Sequence, residues 1–259
     1  MPCADEKGEM SSDQIELIPA QRLERLDGVT DGELVTIPNG SEARWARDTT
    51  GRLWVRKRES DTGFQPLLAE AMSHLLGRLL GVRQPMAAVY HDGTEWSWMS
   101  RAIRGALEHW SPSMRDRIAN LDEVARMLVL DVLTLNEDRH QQNILVEAVE
   151  DEAHLRLWAI DSGNALIGYV DDYAERVDAP PDPRNHARGL PVRALVDHVR
   201  AAADKATHLD PHELEVIVAE SCALVGEGTA HHLLESLTRR CRRASILATA
   251  YLDRLGGLS

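Results

Sequence analysis

Asn136-Glu137-Asp138-Arg139-His140-Gln141-Gln142-Asn143 decides how the rest of this 259-residue chain is read. A helix-like apolar run leads into it, and the strand-like run Ile144-Leu145-Val146 leads out of it. Ile160-Asp161-Ser162-Gly163 follows, with Asp161 eighteen residues after Asn143. The order offers one carboxylate, Asp138, to a substrate hydroxyl. It offers an amide and a second carboxylate, Asn143 and Asp161, to a hard cation that prefers oxygen ligands. Taken singly, Asp138 and Asp161 read as ordinary turn carboxylates; order and spacing together make the case for chemistry.

Upstream, Asn120-Leu121-Asp122-Glu123 has the form of a capping box, with Glu123 able to reach back to the Asn120 amide, and predicts a helix to about Leu135. Downstream, Leu155 to Ile160 predicts a strand ending at Asp161. His140, between the two carboxylates, suits a hydrogen bond that fixes the loop better than the role of base, which Asp138 fills. Arg139 either pairs with a nearby carboxylate or is solvated.

Transfer of a phosphoryl group needs the phosphates held, their charge neutralised by metal, and the acceptor placed in line. The first hundred residues supply candidates for the remaining parts. Strands are predicted at Leu34 to Ile37, Ala43 to Arg47, Arg52 to Lys57, Met86 to Tyr90 and Glu95 to Ile103. Lys57, at a strand end, suits the α- and β-phosphates; the competing reading is a solvated Lys between Arg56 and Arg58. Gln65 to Leu80 predicts an amphipathic helix closed by Gly81. Glu70 on that helix could hold Lys57, although the helical register places it nearly opposite the apolar stripe, where a solvated Glu is expected. Asn39, Gly40 and Ser41 lie in a turn ahead of Lys57 whose amides could cover phosphates, but Asn-Gly also suits any hairpin. Ser100, Ala102 and Ile103 are candidates for contacting an adenine base by position only.

Residues 1–14 read as a tail and Ile15 to Leu26 as a short helix. The Pro-rich stretch 178–191 reads as a long loop, and helices are predicted at roughly 192–205, 211–225 and 229–254. Asp210-Pro211 reads as a helix start rather than part of a metal site. Arg239, Arg240, Arg242 and Arg243 read as a solvated basic face. The expected fold is α+β and two-lobed: a tail and short helix over 1–32, a small β-rich N-lobe over 33–104, and a larger helical C-lobe over 105–259, crossing at 101–111.

The formal net charge of −13 argues against direct nucleic-acid binding, which needs a basic footprint. Cys3, Cys222 and Cys241 show no CxxC spacing and suggest free thiols in a reducing cytosol. The polar first residues lack a signal-type apolar run, and no stretch approaches a membrane span. The expectation is a cytoplasmic protein; oligomeric state is not legible.

Asp138-Arg139-His140-x-x-Asn143 followed by Ile160-Asp161-Ser162-Gly163 resembles the loops of atypical kinases of the HipA-like and phosphatidylinositol 3-/4-kinase-like group. The helix from Ala69 to Val82 looks like the HipA-type segment whose Glu pairs with the strand Lys. The resemblance spans about residues 33–170. It departs from HipA-type toxins at Ser162-Gly163, closer to the lipid-kinase D-x-G, and no HipA N-terminal subdomain fits the first 32 residues. It implies a protein-kinase-like fold with ATP and Mg2+ as cofactors. Lys57 and Glu70 would serve the phosphates, Asn143 and Asp161 the metal, and Asp138 the acceptor. A HipA-like Ser/Thr kinase acting on a protein or on itself is the leading expectation. A kinase of a small molecule, natural-product peptide or lipid, and an ATP-binding pseudokinase, are the alternatives.

Overall fold

The computed structural model describes residues 22–35, 42–103, 107–149, 153–168, 170–225 and 230–256. Six strands of the first half form one sheet: β1 (Glu24–Arg25), β2 (Val29–Leu34), β3 (Arg44–Asp48), β4 (Leu53–Arg58), β5 (Ala87–His91) and β6 (Trp96–Arg101), in the spatial order β1-β5-β6-β4-β3-β2. All neighbours are antiparallel except β1 and β5. Asp48 pins the β3–β4 hairpin. Its carboxylate accepts from the Thr50 and Arg52 amides, the Thr50 hydroxyl, Arg52 Nε and the indole of buried Trp54. Gly51 takes the positive φ of 81° that this turn requires.

Between β4 and β5 run α1 (Glu59–Thr62) and α2 (Phe64–Leu80), the latter ending on Gly81 in the left-handed conformation. Leu67 through Gly77 of α2 are all buried. The helix packs on β6 and also on α3 (Leu121–Thr134) and α6 (Pro211–Cys222) of the second half. The face opposite its apolar stripe therefore meets the cleft rather than water, which is why Glu70 is inside.

The second half is mainly helical, with a small antiparallel sheet of β7 (Leu107–His109), β8 (Ile144–Ala148) and β9 (Leu155–Ala159). Helices α3, α4 (Val170–Glu175), α5 (Val192–Thr207), α6, α7 (Ala230–Arg242) and α8 (Ala244–Gly256) complete it. Apolar α3 is its axis, contacting α2, α5, α7 and α8. A small β-rich lobe thus sits on a larger helical lobe, joined by a continuous apolar core through α2 and α3. No helix among the described residues is long and apolar enough to cross a membrane.

Several sequence expectations need correction. Glu24 and Arg25 end the expected helix 15–26 but form strand β1, because Leu23 enters the core and the β5 edge offers main-chain partners. Of the strand expected at 34–37, residues 36 and 37 lie outside the described residues, and Leu34 ends a strand that begins at Val29. Its exposed Asp31-Gly32-Glu33 and its bulge hide any alternation. The helix expected over 229–254 is two, since α7 packs on α4 and α6 while α8 packs on α5. Glu123 takes the side-chain amide of Asn120 rather than its backbone amide, and also pairs with Arg83, so the capping box is not formed. The arginine cluster is only in part a solvated face: Arg239 and Arg242 are exposed, but Arg240 is not. Arg240 is fully buried and donates to the carbonyls of Val132, Leu133, Arg176, Val177 and Ala179, tying the end of α3 to the end of α4. Arg239 and Arg243 both pair with Asp178. Asp210 caps α6 through the His212 amide, as its sequence suggests.

Two histidines are folded in neutral. Burial, with the charge of Arg78, lowers His74 to about 3; burial, with the charge of Arg139, lowers His186 to about 4. The unfolded chain protonates both near 6.5. Their contribution to stability is therefore fully present above that value and is lost as the pH falls toward the folded values. Each should cost about 1.4 kcal/mol per pH unit. Urea unfolding at pH 7, 6 and 5 should show stability falling between pH 6 and pH 5, and His74→Gln should remove about half of the slope.

Candidate active site

The positioning begins in the middle of α3. Asp131 is wholly buried in an otherwise apolar helix, and its oxygens accept from Nε and Nη2 of Arg139 at 2.9 to 3.2 Å and from Nδ2 of Asn136 at 2.9 Å. Asn136 in turn accepts from the Asp138 amide at 3.1 Å. Leu135, at φ 49°, turns the chain out of the helix. Burial alone would raise Asp131 and lower Arg139. The carboxylate raises the Arg139 guanidinium, while Asp131 stays above its usual range because burial outweighs the arginine's charge.

Arg139 then reaches forward. Its Nη1 donates to the carbonyls of Asn143 at 3.1 Å and Ile160 at 2.6 Å, and Nη2 to the Ser162 hydroxyl at 3.3 Å. One guanidinium thus fixes both ends of the site, the loop after α3 and the residue before Asp161. The Ile160 amide closes the arrangement on the Asn143 carbonyl at 3.1 Å. Asp161 is held at φ 50°, an uncommon conformation for a residue with a Cβ, maintained because its neighbours are bonded on both sides.

From the sheet, Lys57 on β4 places Nζ 2.7 Å from Glu70 Oε1 and 2.7 Å from Asp161 Oδ1. Glu70 Oε2 accepts from the Ser162 amide at 3.0 Å, so α2 is bonded to the Asp161 segment directly as well as through Lys57. Burial would lower Lys57, but the charges of Glu70 and Asp161 outweigh it and raise it. Burial, with Asp161 nearby, raises Glu70; burial would raise Asp161 too, but Lys57 holds it below the carboxylate range. Lys57 is a paired internal cation rather than a solvated strand end.

Asp138 is partly exposed at the mouth of the loop. Its Oδ2 accepts from Asn164 Nδ2 at 2.7 Å, and His140 Nε2 stands 3.7 Å away. Asn143 Nδ2 donates to the Asp138 carbonyl at 2.7 Å, which leaves its amide oxygen as the atom available to a cation. Of Asp161, one oxygen is engaged by Lys57 and the Gly163 amide, leaving the other. No group of three or more His, Cys, Asp or Glu is placed to hold a metal among the described residues. An amide oxygen plus one carboxylate fits a Mg2+ that takes its other ligands from phosphate and water, and does not fit a dedicated protein cage.

The structure brings together Lys57, Glu70, Asp161 and, through Arg139, Asn143 and the Asp138 loop. It does not do the same for the adenine candidates. Ser100 lies inside β6 opposite Val55, with its hydroxyl accepting from Trp98 Nε1 at 3.0 Å, and the Ala102 amide donates to the Leu53 carbonyl at 3.0 Å. Those groups are engaged; Ile103, partly buried, is the candidate left at the strand end. Asn39, Gly40 and Ser41 lie outside the described residues; the strands flanking their loop pair Leu34 with Arg44. Among the described residues His140 makes no side-chain hydrogen bond to its own loop, contrary to expectation: Nδ1 is unpartnered and Nε2 stands 3.7 Å from Asp138.

Sequence reasoning missed Asp131, Asn164 and Trp45. Asp131 had a signal, a lone carboxylate within Leu128-Val129-Leu130-Asp131-Val132-Leu133. Trp45 pairs with Val55 and so shares the sheet face of Lys57. It stays partly exposed there and lines a cavity of about 430 Å³ together with Arg47 and Leu53.

No protein-family model matches the chain, and no curated protein sequence does. Among solved structures, the Helicobacter pylori proinflammatory kinase CtkA is similar at a TM-score of 0.57 and 12% identity, over 88% of this chain and 97% of that one. The Golgi casein kinase, solved with Mn and ADP bound, is similar at 0.51 and 14% identity, over 89% of this chain and 74% of that one. The HipA of Shewanella oneidensis MR-1, solved with HipB and operator DNA, scores 0.45 at 12% identity, too distant to weigh on the assignment. The fold is protein-kinase-like.

Proposed function

We propose that this chain is an ATP- and Mg2+-dependent phosphotransferase with a hydroxyl acceptor, most consistent with a HipA-like kinase of protein Ser/Thr. The observation that carries the reading is the Lys57–Glu70–Asp161 cluster, in which one buried cation bridges the sheet, α2 and the metal-side carboxylate. The Lys57 ammonium is held by two carboxylates at once. It is preorganised to exchange part of that pairing for phosphate oxygens.

When bound, MgATP supplies the phosphoryl group and the metal charge that neutralises it. Lys57 would contact the phosphates, and Glu70 would keep it aimed. Asn143 and Asp161 would supply the protein's oxygens to the cation. Asp138, oriented by Asn164, takes the proton from the acceptor hydroxyl as the new O–P bond forms and the bond to the departing ADP oxygen breaks. Arg139 and Asp131 touch neither substrate nor metal and act by positioning. Trp45 and Val55 offer the base an apolar face.

A pseudokinase would conserve the nucleotide site without needing a free carboxylate at the acceptor position. Asp138, partly exposed and held by a single side-chain amide, favours the enzyme. A thermal-shift titration separates the readings at the first step. ATP with Mg2+ should raise the midpoint, and EDTA should remove most of the shift. A protein indifferent to both has no nucleotide site.

A further inference from the structure

Beside Asp138, and outside the nucleotide site, lies a cavity of about 490 Å³. His140, Gln141 and Gln142 of the loop form one wall, and Arg184, His186 and Arg188 form the other. Its lining side chains are all polar, whereas sites for small organic ligands are mostly apolar. The concentration of positive charge stands out in a chain of net charge −13.

The wall is built, not loose. The Ala187 amide donates to the Arg139 carbonyl at 2.6 Å, Trp110 Nε1 to the Arg188 carbonyl at 2.9 Å, and Arg115 Nε to the Gly189 carbonyl at 2.7 Å. Gly189, at φ 86°, packs where a Cβ would come within 2.6 Å of Pro112. Arg139, which positions the site, therefore also anchors the cavity wall. His186 Nδ1 is shared with the Tyr251 hydroxyl at 3.0 Å, while its Nε2 and His140 Nδ1 are buried without a hydrogen-bond partner among the described residues.

The charges facing the cavity can be counted. Arg184 is partly neutralised by Asp182 at 2.8 Å, and Asp138 lies behind His140. Glu137 is engaged by Arg176 and by the Asp182 amide. Arg188 is exposed and has no carboxylate partner among the described residues.

We propose that this cavity is the acceptor subsite and that it selects an acidic peptide, with the Asp or Glu neighbours of the phosphorylated hydroxyl residue held by Arg188 and Arg184. The inference rests on the phosphotransferase reading above, since it takes Asp138 as the point where the hydroxyl arrives. An open trough lined by polar and basic side chains suits the carboxylates of an extended chain, and arginine forks suit carboxylates.

The test separates binding from transfer. The full chain is titrated, with Mg2+ and a non-hydrolysable ATP analogue at low salt, into a fluorescent peptide carrying one serine flanked by glutamates. A second titration uses the same peptide with glutamines in their place. The glutamate peptide should bind about fivefold tighter or more, the preference should shrink with added salt, and Arg188→Glu should abolish it while leaving the MgATP thermal shift unchanged. Arg188→Lys should retain most of it. Equal binding of the two peptides, or a preference that survives both Arg188→Glu and Arg184→Glu, would overturn the proposal. So would phosphorylation of glycerol 3-phosphate with neither peptide bound, which would make the cavity a small-metabolite subsite. Preferential binding of the acidic peptide without phosphoryl transfer would retain the docking surface and count against the enzyme instead.

Discussion

Asp138→Ala should lower phosphoryl transfer by about a thousandfold, the middle of the range for loss of a positioned general base, while leaving the affinity for MgATP within roughly twofold. The separation follows from geometry. The Asp138 carboxylate contacts Asn164 and stands near His140, but it is not bonded to Lys57, Glu70 or Asp161. Its backbone carbonyl is the atom that orients Asn143, and that atom survives the substitution. Isothermal titration with ATP and Mg2+, alongside initial rates of label transfer, provides both readouts. Loss of binding together with loss of transfer would show that the side chain supports the loop rather than the acceptor.

Asp131→Ala should be among the most destabilising single substitutions in the molecule, at about 3–5 kcal/mol, because it strands a buried guanidinium. Arg139 is about 1% exposed and Asp131 0%, so water cannot take the carboxylate's place. For a chain of this size, the midpoint of thermal unfolding should fall by on the order of 10 °C. Protein that remains folded should also lose activity, because Arg139 loses the partner that aims it at the carbonyls of Asn143 and Ile160. The double substitution Asp131→Leu with Arg139→Met removes both charges and should regain much of the stability but not the activity. Recovery of both would mean that the guanidinium's contacts to the loop are dispensable.

The legible parts were those with local signals. The β3–β4 hairpin, α2, β5, β6 and α3 could be read from turn residues and from the spacing of apolar side chains. The order of Lys57, Glu70, Asp138, Asn143 and Asp161 could be read as a candidate site because each sits at the end or on the face of such an element. What escaped depended on tertiary contact. Glu70 looked solvent-facing because a helical wheel does not know that α2 has a lobe on each side. Arg240 looked solvated because nothing local shows that two helix ends converge on it. Asp131 was passed over because its partner comes eight residues later, past the turn at Leu135. The edge strand β2 escaped because its polar, bulged sequence has no alternation to read, and Arg188 gained meaning only when the 178–191 loop came to rest against the loop after α3.

These contacts also make the two lobes interdependent. Glu70 bonds the Ser162 amide, Lys57 bonds Asp161, and Arg139 bonds the residues on both sides of Asp161, so the Asp161 carboxylate is held from the sheet, from α2 and from the helical lobe at once. A residue at positive φ held from three directions is preorganised, and preorganised charge is what phosphoryl transfer chiefly asks of a protein.

The most direct test of this account is incubation of the purified chain, alone and with a cell lysate, with ATP labelled at the γ-phosphate. Label should enter a hydroxyl ester when Mg2+ is present, be absent with EDTA, and be absent with Asp138→Ala. Labelled ATP recovered unchanged from every fraction, by a folded protein that shows no Mg2+-dependent nucleotide binding, would contradict it.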